Sequence, residues 1–229
     1  MSETTIERKP YKLARFDIKE HVAEYLKKNG AKYPDGMKMV NIRGCNGAGK
    51  STVPMEFLFN DPAVYLLTYE GKDVATVFPT YGWVAMGKYR TKTGGLDGYK
   101  NGEQTRNMLQ LLWCLPFNII MEGVIASTIY STYADLFNEY KSHKIKREIG
   151  VMNLLPPFEV IKDRLEKRNG GKEIKWEQVE SKYRTVKKNA QKFLEAGLIS
   201  WEADNSGIER DETLGWFLEQ VEEFLGAKH

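Results

Sequence analysis

The sequence predicts an α/β protein of three layers, with helices on both faces of a mainly parallel five-stranded sheet. Two observations predict it. Apolar runs of strand length alternate with longer amphipathic segments along most of the chain, and parallel strands need the crossover connections that helices supply. A glycine-rich stretch, GCNGAGKST at 44–52, also falls between the first convincing strand and a helix, which puts a tight loop at the end of a sheet strand. The 229 residues are enough for one sizeable core with an appendage.

FDIKEHVAEYLKKNG (16–30) reads as a helix: Asp17 and Glu20 have capping-box spacing, Ile18, Val22 and Leu26 share a face, and Gly30 ends it. It is expected to be an N-terminal accessory helix, with residues 1–35 outside a main domain at 36–229. MKMVNIR (37–43) is the first strand and STVPMEFLF (51–59) the helix after the loop, with Pro54 about one turn in, where a missing N–H costs little. AVYLLTYEG (63–71) and TYGWVAMGKY (80–89) are strands, the second running into the glycine-rich RTKTGGLDGYKNG (90–102). EQTRNMLQLLWCL (103–115) is a helix stopped by Pro116, and FNIIMEG (117–123) a strand ending in Glu122.

TIYSTYADLFNEYK (128–141) is helical, with Ile129, Tyr133, Phe137 and Tyr140 on one face. EIGVMNLL (148–155) is an apolar strand closed by Pro156 and Pro157, and FEVIKDRLEKR (158–168) a helix that stops at Asn169–Gly171. In KWEQVESKYRTVKKNAQKFLEAG (175–197), Trp176, Val179, Tyr183, Val186, Ala190 and Phe193 recur every three or four residues. That face packs and leaves Lys182, Arg184, Lys187 and Lys188 wet. LISWEAD (198–204) is the last strand and DETLGWFLEQVEEFLG (211–226) the closing helix.

Composition narrows the function classes. With 41% hydrophobic and 28% charged residues the chain is an ordinary globular one. No apolar run approaches the ~18 residues of a membrane span, and MSETTIERKP has no apolar signal stretch, so the expectation is a protein of the cytoplasm without a membrane partner. Cys45 and Cys114 have neither disulfide density nor metal-ligand spacing, and three scattered histidines do not make a zinc site. A net charge of +3 is small, but basic residues bunch in KSHKIKR (141–147) and between Lys162 and Lys192.

Gly44, Gly49, Lys50 and Ser51 match G-x-x-x-x-G-K-[ST], the P-loop, in the strand–loop–helix context the motif requires. Gly44, Gly47 and Gly49 let several backbone N–H groups turn inward, and the helix N-terminus adds partial positive charge, so the loop captures an anion. Asn46, Ala48 and Thr52 complete the nucleotide cradle. Lys50 would reach the β- and γ-phosphates of ATP, and the Ser51 hydroxyl would hold Mg²⁺. The N-K-x-D guanine motif of GTPases and the L-S-G-G-Q of transporter ATPases are absent, and the chain is short for a motor ATPase. A small kinase remains, with Arg164, Arg168 and Lys172 at a helix break where such kinases carry a lid, expected around 160–185.

NIRGCNGAGKST, MGKYRTKTGGLDGYKNGEQ, NIIMEGVIASTIY and RLEKRNGGK, in that order, resemble a group of bacteriophage P-loop kinases. That group has a strand ending in G-K-Y or G-R-Y, a G-G-x-D loop, an E-G-hydrophobic segment followed by S-T-I-Y, and a basic lid. The likeness runs from about residue 38 to 200, and Thr93 stands where the pattern has a cysteine. The group includes kinases that phosphorylate the hydroxymethyl of 5-hydroxymethyluracil in phage DNA. The resemblance therefore implies ATP as donor and DNA with a modified pyrimidine as acceptor.

Two other readings stay open: a nucleoside or deoxynucleoside monophosphate kinase acting on a free nucleotide, and a nucleotide-binding regulator without transfer. In the kinase readings Lys50, Arg164 and Arg168 neutralise the transferring phosphoryl group. Glu122, at a strand's C-terminal end, orients Mg²⁺ waters or takes the acceptor proton, and Asp97 on the glycine-rich loop is the alternative base. Arg90 and Arg106 are weaker candidates for acceptor phosphate. Tyr89, Trp83 and Trp113 are candidates for a base slot, with core packing the stronger reading for Trp113. DNSG (204–207) is a weak candidate for adenine.

Overall fold

The computed structural model describes residues 13–89, 95–99 and 101–226. The strands are β1 (Ala14–Asp17), β2 (Met37–Arg43), β3 (Tyr65–Tyr69), β4 (Lys72–Phe78), β5 (Trp83–Met86), β6 (Asn118–Glu122), β7 (Arg147–Leu154) and β8 (Ile199–Ala203). The helices are α1 (Ile18–Lys28), α2 (Thr52–Asn60), α3 (Gly102–Trp113), α4 (Val124–Thr128), α5 (Ser131–Lys141), α6 (Phe158–Asn169), α7 (Trp176–Glu195) and α8 (Thr213–Leu225), with a 3₁₀ turn at Gly95–Gly98.

One sheet runs β1-β3-β4-β5-β6-β2-β7-β8. Only β4 is antiparallel to its neighbours, so the C-terminal ends of the other seven point the same way. β2 lies inside, paired with β6 (Met39 opposite Ile119) and with β7 (Met37 opposite Arg147). Alternate residues of β2 feed opposite cores: Met39 joins Ile119, Met121 and Ile149 under α1, α3 and α5, whereas Val40 and Ile42 join Ile120, Met152 and Leu154 under α2, α6 and α8. These are the three layers the alternation predicts.

Five strands is too few, because among the described residues the sheet has eight. β4 has no clean alternation to announce it: Val74 through Phe78 are all buried, and it leaves β3 through Glu70 (φ 52°) and Gly71 (φ 73°), a turn without an Asn-Gly or Asp-Gly signature. β1 is four residues long with three exposed, so only its pairing with β3 makes it a strand. The segment ahead of β2 is thus a strand and a helix built onto the sheet. Its cap is as expected, with Asp17 accepting from the N–H groups of Lys19 and Glu20.

The expected helix at 128–141 starts later, because Ile129 is extended and separates α4 from α5. Pro54 is the third residue of α2, among donors that have no intrahelical acceptor, and costs no hydrogen bond. No helix among the described residues is long and apolar enough to cross a membrane.

Candidate active site

The site lies where β2 and β6 end side by side. Gly47 (φ 83°) and Gly49 (φ 94°) hold the loop after β2 in the left-handed region. Neither has room for a side chain: a Cβ on Gly47 would meet Leu165 Cγ at 2.8 Å, and one on Gly49 would meet Asn205 Nδ2 at 2.7 Å. α6 and the segment after β8 thus close directly on the loop, with Ala48 buried beneath it.

Lys50 is buried inside the turn and its Nζ donates to the Cys45 carbonyl at 2.9 Å. Burial pulls the Lys50 pKa down, while the nearby Glu122 carboxyl pushes it back up. Ser51 donates from Oγ to Glu122 Oε1 at 3.2 Å. Glu122 is only 1% exposed, and its pKa is raised by desolvation against the opposing pull of Lys50 and the Ser51 hydrogen bond. Thr52 opens α2, its N–H bonded to the Gly49 carbonyl at 3.0 Å.

A second tier holds these groups in place. Gly95 packs so tightly on Glu122 that an added Cβ would meet Oε1 at 2.3 Å, and Gly87 leaves no more room against Gly95. Asp97 makes its described hydrogen bonds to backbone. It accepts from the N–H groups of Val124 (3.2 Å) and Ile125 (3.3 Å), where its charge suits the first turn of α4. Ser127 receives the Gly44 N–H at 3.1 Å and donates to the Gly123 carbonyl at 2.6 Å, so the P-loop and the Glu122 strand share one hydroxyl.

Arg43, fully buried, donates to the carbonyls of Ser127 (2.8 Å) and Ile129 (2.7 Å) and lies over the Phe193 ring at 4.8 Å. Burial with no carboxylate partner pushes its pKa down to about 9. Sequence reasoning passed over Arg43. The available signal is an arginine ending a strand, directly before the glycine-rich loop.

Three further cations lie near the loop. Arg164 donates to the Asn205 side chain (3.1 Å) and carbonyl (2.8 Å), and Asn205 Nδ2 donates to the Ala48 carbonyl at 3.0 Å. Arg168 is exposed one turn further along α6, close enough to depress the Lys50 pKa. Lys182, which the helical pattern left on the wet side, reaches Asn46 Oδ1 at 3.2 Å. It lies three residues from buried Val179 and four from buried Val186, so it borders the packed face. None of Lys50, Arg164, Arg168 and Lys182 belongs to an ion pair among the described residues. Four cations outside any described ion pair, gathered near one glycine-rich loop, suit a polyanion.

The donor set also fits Mg²⁺. The described residues contain no cluster of three or more His, Cys, Asp or Glu that could cage a metal. Mg²⁺ takes one or two protein ligands with waters and phosphate oxygens, and the Ser51 hydroxyl supplies one, with the Glu122 carboxyl beside it to orient a water.

Other candidates fall elsewhere. Trp83 packs with Phe57 and Phe217 on one face of the sheet and Trp113 with Tyr140 on the other, so they form no common slot with Tyr89. Arg106 pairs with Glu139 on the surface, and Arg90 and Thr93 lie outside the described residues. KSHKIKR precedes β7, at the opposite end of the sheet from the P-loop. Its Arg147 is buried, donating to the carbonyls of Trp113 (3.0 Å) and Phe117 (2.6 Å) as a cap on α3. That run therefore does not approach the site.

A family model described as 5-hmdU DNA kinase matches residues 23–199. The chain belongs to the 5-hmdU DNA kinase family. A 5-hmdU DNA kinase of Bacillus phage SP10 is 56% identical over 204 residues, covering 86% of this chain and 32% of that protein. The chain thus spans about a third of that relative's length. 5-hmdU DNA kinase 1 of Salmonella phage ViI is 33% identical, covering 70% of this chain and 72% of the relative. The 5-hmdU DNA kinase of Pseudomonas phage M6 is 31% identical, covering 72% and 92%.

Proposed function

We propose that this chain is an ATP-dependent kinase that transfers the γ-phosphoryl group to the hydroxymethyl of 5-hydroxymethyluracil in phage DNA. The observation that carries the phosphoryl chemistry is the Ser51–Glu122 hydrogen bond, which joins a P-loop hydroxyl to a buried carboxylate beside Lys50. Family membership supplies the acceptor class.

The P-loop N–H groups and Lys50 hold the β- and γ-phosphates, and Arg164 and Arg168 close from α6 as the lid. Ser51 is the protein group that would hold Mg²⁺, which when bound neutralises phosphate charge. Glu122 takes the acceptor hydroxyl proton as its oxygen bonds to the γ-phosphorus and the bond to the β-phosphate oxygen breaks. ADP leaves and the base carries a phosphate ester. A buried base with a raised pKa suits this work, because its proton affinity lies nearer neutrality than that of a free carboxylate. Asp97 acts as a positioning residue.

Radiolabel should pass from γ-labelled ATP to 5-hydroxymethyluracil DNA and not to unmodified thymine DNA, with affinity falling steeply as salt rises. Equal labelling of the free mononucleotide would overturn the polymer assignment. ATP binding without acceptor-dependent ADP release would overturn the kinase.

A further inference from the structure

Ile125 is 65% exposed, more than any other large apolar residue described, and it lies three residues past Glu122. A lone exposed aliphatic needs no explanation. This one has a fixed mount. Asp97 takes its N–H at 3.3 Å and Thr128 Oγ1 donates to its carbonyl at 3.0 Å. Ala126 and Ser127 beside it are buried, Arg43 holds the Ser127 and Ile129 carbonyls, and Asn189 of α7 donates to the Thr128 carbonyl at 3.2 Å. The backbone of α4 is tied to the P-loop strand, the 3₁₀ turn and α7 while the side chain stands in solvent.

The α7 flank of this mount is basic. Lys188 adjoins Asn189, and Lys192 lies over the Tyr130 ring at 5.3 Å; neither has an ion-pair partner among the described residues. Lys182 lies on the same helix toward the P-loop. An exposed aliphatic beside a row of phosphate-seeking cations on α7 matches DNA, which presents anionic strands outside and apolar base faces within.

The burial of Glu122 adds the geometric demand. A hydroxymethyl on a stacked base cannot reach a carboxylate that is 1% exposed beneath Gly95, so the nucleotide must leave the helix.

We propose that Ile125 is the wedge that enters the base stack in place of the extruded nucleotide, and so sets the use of duplex over single-stranded DNA. This rests on the proposed DNA acceptor. The test measures kcat/KM with γ-labelled ATP on a duplex carrying one 5-hydroxymethyluracil, on the same strand alone, and with 2-aminopurine beside the target to report unstacking. Ile125→Ser should lower the duplex-to-single-strand ratio about 10-fold or more and abolish the 2-aminopurine rise, and Ile125→Leu should restore both. An unchanged ratio, or an equal fall on both substrates, overturns the wedge. Wild-type protein that labels the single strand but never the duplex overturns it while leaving the kinase standing. Wild-type protein that labels neither removes the acceptor assignment and the wedge together.

Discussion

At the scale of single residues, the site combines groups that burial has moved from their ordinary ionisation. Lys50 is a buried ammonium held by one carbonyl and a neighbouring carboxyl. Replacing it with alanine deletes the charge proposed to meet the transferring phosphoryl group, so Lys50→Ala should lower kcat/KM by ~10²-fold or more. Its melting temperature should stay near wild type, which calorimetry beside the labelled-ATP assay checks. Glu122 has the opposite shift, its carboxyl raised by desolvation.

As the proposed base, Glu122 must be ionised, so activity should fall as pH drops through the pKa of its carboxyl, giving the kcat profile an acid limb. Glu122→Gln should lower kcat by about 10²-fold with less effect on acceptor KM and erase that limb. A limb that persists in the variant assigns the proton to another group. The stability sign is separate: a carboxyl whose pKa is raised on folding binds more protons folded than unfolded. Its contribution therefore declines as pH rises from the unfolded value to the folded one.

At the scale of elements, the 3₁₀ turn, α4 and the P-loop act as one block joined through Asp97, Ser127 and Arg43. Gly95 is the joint: it is in the left-handed region (φ 60°) with Glu122 against its missing side chain. Gly95→Ala should cost about 2 kcal/mol or more in denaturant unfolding, since strained backbone and a core clash add. It should also depress turnover by displacing the carboxylate, whereas Gly98→Ala, where a Cβ meets nothing within 4 Å, should do neither. Arg43 joins the block from below. Arg43→Met strands the Ser127 and Ile129 carbonyls, and unfolding should show a loss of about 2 kcal/mol.

At the scale of the whole molecule, the parallel strands gather their C-terminal ends on one edge, where helix N-termini and loops meet. P-loop, Glu122, α6 and the segment after β8 come from separated parts of the chain, so a ligand bound there ties the fold together. ATP analogue with Mg²⁺ at about 100 times its Kd should stabilise the protein by roughly 2.7 kcal/mol, a Tm rise of several degrees. The rise should shrink in Arg164→Ala, whose guanidinium links Asn205 to the loop. A rise that is the same in both proteins would remove Arg164 from the nucleotide site.

The sequence by itself determined the strand–loop–helix of the P-loop, the order of the main strands and helices, and the carboxylate at the end of β6. Each of these is a local pattern: glycine spacing, apolar period, or a polar residue closing an apolar run. Tertiary structure alone decided that four residues at 14–17 form an edge strand and that Lys72–Phe78 runs backwards through the sheet. It also decided that Arg43 is a buried clamp, that Asp97 caps α4, and that Lys182 faces the P-loop while Arg147 lies at the sheet's other end. The physical reason is that pairing, burial and a side chain's partner depend on elements distant in the chain, and neither spacing nor composition carries that distance.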